Sequence, residues 1–152
     1  MKKALLIVII ILLLLSTAFI VNLFIKGYQS KNMKNKNTFN GQTLGTCPDK
    51  PNCVSTFNSK DSKNYITPLE VSKLDFKLKE MDTEGFTVIK SEDNYLYLTH
   101  KSTLFGFIDD IEILYSPENK LIHFRSASRV GYSDLGANRK RIEKLKDRLR
   151  QL

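Results

Sequence analysis

The chain has 152 residues, of which 41% are apolar, 26% charged and 10% aromatic, with a formal net charge of +8. That is one domain's worth of sequence, and nine Phe against seven Gly and four Pro exclude a collagen-like or wholly disordered chain. Two Cys are too few for a scaffold built on disulfides.

Residues 4–25 carry no charge, and only Ser16, Thr17 and Asn22 among them are polar. A helix of that length reaches about 33 Å, enough for a hydrocarbon layer of ~30 Å. A cleaved signal peptide has a shorter apolar region and a small-x-small site, which the run does not display. No Cys near its end offers a point for lipid attachment. The reading is a single-pass anchor whose partner is the bilayer through residues 4–25. Lys2 and Lys3 before the run favour an exported signal-anchor, whereas Lys26, Lys31, Lys34 and Lys36 after it pull the other way. The expectation is a domain outside the cytoplasm.

Residues 26–46 are rich in Lys, Asn, Gln, Thr and Gly, and read as a flexible polar linker. A single domain is expected over 47–152. It opens on Cys47-Pro48-Asp49-Lys50-Pro51-Asn52-Cys53. Outside the cytoplasm a Cys47–Cys53 disulfide is the natural reading, worth roughly 2 kcal/mol for so short a loop. Zinc with His100 or His123 fits the spacing poorly, and Cys-x-x-Cys is absent, so no metal or cofactor is expected.

Thr67-Pro68-Leu69-Glu70 reads as a helix start, with Thr67 as N-cap and Glu70 closing a capping box. Val71, Leu74, Leu78 and Met81 recur at helical spacing and Gly85 supplies the stop. Strands are expected over 86–90, 95–101, 105–115 and 121–128, and Ile142, Leu145, Leu149 and Leu152 mark a final amphipathic helix. The expected fold is α+β: an antiparallel sheet of about four strands with two helices on one face, after an N-terminal transmembrane helix.

A turn at Glu118-Asn119 fixes the register of the last hairpin. Tyr115 then opposes Ile122, Ile113 opposes Phe124 and Ile111 opposes Ser126 on one face. Leu114 opposes His123 and Glu112 opposes Arg125 on the other. Asp109 falls opposite Ser128 and needs a cationic partner, Arg129 or Arg139. Asp110, Glu112, His123 and Arg125 could form an acid/base site of hydrolytic type. A cross-strand ion-pair ladder is the preferred reading of the same residues.

Residues 125–152 hold nine basic and three acidic groups, whereas 26–124 balance at thirteen each. The excess charge therefore lies at the C-terminus, where it can attract phosphates, anionic lipid heads or acidic polymers. The connection from the last strand to the last helix admits two readings. In one, Arg125, Ser128, Arg129, Tyr132, Asn138, Arg139 and Arg141 hold an anion near the helix start. In the other, Ser133 or Asp134 caps the helix and the arginines pair with Asp109 and Asp110. Ser126, Ser128 and Ser133 lack a nucleophile-elbow context.

Three stretches carry a family resemblance: Cys47-Pro-Asp-Lys-Pro-Asn-Cys-Val-Ser55, Leu104-Phe-Gly-Phe-Ile-Asp-Asp-Ile-Glu112, and Arg125-Ser-Ala-Ser-Arg-Val-Gly-Tyr-Ser-Asp-Leu-Gly-Ala-Asn-Arg-Lys-Arg141. They resemble the domain of unknown function 1499 family from about residue 45 to the C-terminus. The resemblance implies a small bacterial and plastid-associated domain, often behind a membrane or export segment. It supplies no chemistry. The expected function is a membrane-anchored, non-enzymatic cell-envelope module that binds an anionic lipid, polymer or protein, with a hydrolase as the alternative. Nucleic acid is a poor fit, because no stacking aromatics interleave the basic residues.

Overall fold

The computed structural model describes residues 2–71 and 77–151. Helix α1 (Lys2–Asn32) is followed by β1 (Cys53–Ser55), β2 (Leu69–Glu70), a 3-10 turn at Leu78–Glu80, β3 (Thr87–Ser91), β4 (Tyr95–Lys101), β5 (Ile108–Ser116), β6 (Leu121–Ser128) and α2 (Ala137–Leu149). The strands form one antiparallel sheet in the order β1-β6-β5-β4-β3, with β2 also pairing β6. The α+β class holds, but the sheet has six strands and not four.

Period-2 patterning sets which side chains meet. The β5–β6 register is the one the turn implies: Tyr115 pairs with Ile122, Ile113 with Phe124, Ile111 with Ser126 and Glu112 with Arg125. Ile111, Ile113, Leu96, Leu98, Ile122 and Phe124 form the main apolar face, covered by Ile142, Leu145 and Leu149 of α2. Asp134 carries the start of α2, its carboxylate accepting the backbone N–H of Gly136 (2.9 Å) and Asn138 (2.7 Å). The expected disulfide joins Cys47 and Cys53, whose Cα atoms stand 5.7 Å apart.

The helix expected from Thr67 does not start there. Leu69 and Glu70 instead pair with Ile122 and Leu121, and Val71 N–H donates to the Lys120 carbonyl (2.9 Å). β1 covers only the far end of β6, so the near end needs its own partner. Pro68 immediately before a two-residue edge strand removes no ladder bond. Leu74 lies outside the described residues. Leu78 and Met81 do reach the core, from the 3-10 turn and the residue after it. Among the described residues, therefore, only one α-helix covers the sheet.

The second face of the sheet is also covered. α1 continues beyond the apolar run to Asn32, and the polar stretch after it lies across this face. Phe39 stacks on Tyr95 with centroids 4.2 Å apart, and Leu44 is buried with Tyr95, Tyr97 and Leu114. Composition alone reads this stretch as a tether; its backbone and the side chains of Phe39 and Leu44 engage the domain.

Candidate functional site

The carboxylates of β5 alternate between the two faces. On the second face, Glu112 is fully buried and accepts from the backbone N–H of Thr38 (2.7 Å) and Phe39 (3.0 Å). It also accepts from the Thr38 hydroxyl (2.7 Å), the Tyr95 hydroxyl (3.0 Å) and Arg125 Nη1 (3.4 Å). Asp110 is gripped by Arg129 through Nε (2.9 Å) and Nη2 (2.7 Å), and by the Tyr97 hydroxyl (2.5 Å). Burial, aided by the neighbouring carboxylates, pushes both tyrosine pKa values well above the usual phenol range, so both phenols remain donors. Arg129 also donates to the Met33 carbonyl and the Asn35 side chain, both at 2.8 Å.

Glu112 and Arg125 thus form a cross-strand ion pair on this face, and Asp110 pairs with Arg129 just beyond the end of β6. Glu112 and Asp110 are saturated by donors. His123 sits elsewhere, its Nδ1 3.2 Å from the Thr56 hydroxyl and its ring tilted by 35° against Phe57. Burial lowers its pKa, which favours the neutral ring. Neither of the two cavities described below is lined by Asp110, Glu112 or His123.

Asp109 points to the main face. Its partner is Arg141, at 2.6 Å, and not the Arg129 or Arg139 expected. Arg141 further donates to Asn138 Oδ1 (2.6 Å), the Ser126 hydroxyl (3.3 Å) and His100 Nδ1 (3.3 Å). A guanidinium only donates, so His100 accepts at Nδ1 and carries its proton on Nε2. Burial and the Arg141 charge lower its pKa. Asn138, wholly buried, donates to Ser128 Oγ and the Asn52 carbonyl at 3.0 Å each. Arg139 leaves this group and donates to the Lys63 and Tyr65 carbonyls.

Two cavities adjoin this polar cluster, one on each side. The larger, of about 680 Å³, lies between the end of α1, the 102–107 turn and the 129–136 loop. The turn is seated directly on α1. Ser30 accepts the Ile108 N–H (2.8 Å) and donates to the Ile108 carbonyl, while Phe24 meets Phe105 edge to face. Only glycine fits at position 27, because a Cβ there would collide with the Phe105 carbonyl. Phe105, Phe107, Val130, Leu23 and Phe19 line the apolar part; Asp109, Ser128, His100 and Arg141 line the polar end.

The second cavity, about 390 Å³, is a basic groove beside α2. Lys140, Lys144 and Arg148 recur at four-residue spacing on one helix face, opposite Phe86 and His100. Arg148 lies over the Phe86 ring and pairs with Asp82. The side chains of Lys140 and Lys144 make no hydrogen bond or ion pair among the described residues. His100, Ala137 and Arg141 belong to both cavities.

Of the seven residues expected to hold an anion, the structure brings Ser128, Tyr132 and Arg141 to the larger cavity. Arg125 and Arg129 are buried in ion pairs, Asn138 is buried in the helix-start network, and Arg139 holds backbone carbonyls. Sequence reasoning missed His100, the 102–107 turn and Lys26 as lining groups, and Lys140 and Lys144 as the free cations. The four-residue recurrence of Lys140, Lys144 and Arg148 was the available signal. Among the described residues, no group of three or more His, Cys, Asp or Glu could hold a metal ion.

The class of protein is thus a small α+β domain carried on an N-terminal apolar helix that is long enough to cross a membrane, as an anchor or a signal sequence would be. The chain belongs to the family described as Protein of unknown function (DUF1499), which matches residues 43–149. No curated protein and no solved structure matches it.

Proposed function

We propose that the protein is a membrane-anchored, non-enzymatic module that stands outside the cytoplasm and binds an anionic ligand beside its strand-to-helix connection. The observation that carries the reading is the basic groove along α2, where Lys140 and Lys144 have no hydrogen-bond or ion-pair partner among the described residues. Unpaired cations converging on a concavity form a site for phosphate-type groups. α1 supplies the anchor. The Cys47–Cys53 disulfide supports an oxidising compartment.

Location is tested by alkylating thiols in intact cells before and after reduction. Both cysteines should react only after reduction; two freely reactive thiols would put the domain in the cytoplasm and overturn this part of the reading. Binding is tested on the full chain in a non-ionic detergent, titrated with inorganic polyphosphate. At about 1 kcal/mol per cation, Lys140→Gln with Lys144→Gln should weaken binding roughly 10-fold or more. The affinity should also fall as salt rises. An unchanged affinity in the folded double variant would overturn the anion site.

A further inference from the structure

The larger cavity is apolar on one side and charged on the other, and Phe19 and Leu23 of α1 contribute to its apolar side. Phe19 and Leu23 both precede Lys26, the first charge after the apolar run. On a helix, Phe19 lies about 10 Å beyond Lys26 along the axis. When α1 spans a bilayer with Lys26 at the head-group level, this wall is at hydrocarbon depth. The cavity then opens toward lipid tails, while Asp109, His100 and Arg141 form its other end inside the domain.

The rim has the same polarity. Leu104, Tyr132 and Leu135 are 71%, 68% and 92% exposed, from the two loops that frame the cavity. Leu135 is moreover held at a φ of 54°, a left-handed conformation that is costly for any residue but glycine. A leucine so constrained and projected outward suits contact with hydrocarbon, and a tyrosine beside it suits the interface. A cavity of about 680 Å³ is also within the range that encloses a small amphiphile.

Resting on the anion-binding reading for its head group, we infer that this cavity binds an anionic membrane lipid drawn partly out of the bilayer. The hydrocarbon chain lies along Phe19, Leu23, Phe105 and Phe107. The head group sits at Lys26, which pairs with no carboxylate among the described residues, whereas Arg141 at the polar end is already held by Asp109. Because His100 and Arg141 also wall the basic groove, a head group larger than a phosphate continues directly toward Lys140 and Lys144.

The test uses the full chain in phosphatidylcholine vesicles containing a minor fraction of phosphatidylglycerol with a diazirine in its acyl chain. After illumination, adducts are mapped by mass spectrometry. The expected result is labelling of Phe107, Ile108 and Val130, which line the cavity, in addition to the outer residues of α1. Val130→Trp, which fills the cavity, should remove the domain adducts and leave those on residues 5–14 of α1 as an internal standard. Adducts confined to α1, or to α1 and the exposed Leu104, Tyr132 and Leu135, would overturn the cavity site even without the variant. Phosphatidylcholine carrying the same diazirine chain separates the two readings. Equal cavity labelling by it would leave the chain site standing and overturn the anionic preference. Absent cavity labelling by either lipid would overturn the chain site whatever the polyphosphate titration shows.

Discussion

Replacing Glu112 with Leu should destabilise the domain by about 3–5 kcal/mol, because it leaves a buried arginine without its carboxylate. The magnitude follows from where Glu112 sits. It is fully buried and accepts five hydrogen bonds, three of them from Thr38 and Phe39. Arg125 is the weaker partner, at 3.4 Å and with its Nε lacking a hydrogen-bond partner among the described residues. The backbone and hydroxyl donors therefore carry most of the compensation for burying the charge. This gives the variant a second signature: the 33–46 stretch should lose its seat on the sheet. Denaturant unfolding of the full chain in detergent measures the first effect, and hydrogen exchange across 38–46 measures the second. Tyr95→Phe, which removes one donor of the five, should cost only about 1 kcal/mol. A Glu112 variant that loses less than that, with exchange unchanged, would refute the account.

The hairpin was legible in the sequence because its signals agree. Alternation over Ile111, Ile113 and Tyr115, a turn at Glu118-Asn119 and a complementary Glu112–Arg125 pair all select one register, and the structure has it. The helix start at Thr67-Pro68-Leu69-Glu70 shows the opposite case. Its capping residues are overridden at Leu69 and Glu70 by a tertiary need, the unpaired near end of β6. The 33–46 stretch was unreadable for a different reason. Its polar attachment uses backbone groups, one threonine hydroxyl and one asparagine side chain, with Phe39 and Leu44 adding apolar contacts, a pattern no composition rule distinguishes from a solvated linker. The cavity was invisible because its walls come from α1, the 102–107 turn and the 129–136 loop, three segments whose meeting depends on Gly27 passing close to Phe105. Likewise an arginine in a loop reads the same whether it faces a ligand or a buried carboxylate. Only the fold sorts Arg125 and Arg129 from Lys140 and Lys144.

That sorting yields a crossed prediction. Arg129→Met should destabilise the domain by about 3–5 kcal/mol, since Asp110 is buried and loses both guanidinium bonds. Arg129 also ties Met33 and Asn35 to the sheet, so the end of α1 should loosen with it. The Asp110 hydrogen bonds and charge raise the arginine's own pKa against the opposing effect of burial, so the guanidinium stays protonated. Converting the partner as well, in Asp110→Asn with Arg129→Met, should recover part of the loss, with a coupling of about 1–3 kcal/mol. Under conditions where Arg129→Met remains folded, its polyphosphate affinity should match the unsubstituted chain. Lys140→Gln with Lys144→Gln should do the reverse, changing stability by about 0.5 kcal/mol or less while binding falls. Unfolding curves and polyphosphate titrations on the unsubstituted chain, these three variants and the Asp110→Asn single variant decide the matter. If Arg129→Met weakens binding without loss of stability, Arg129 belongs to the ligand site after all, and the division between paired and free cations fails.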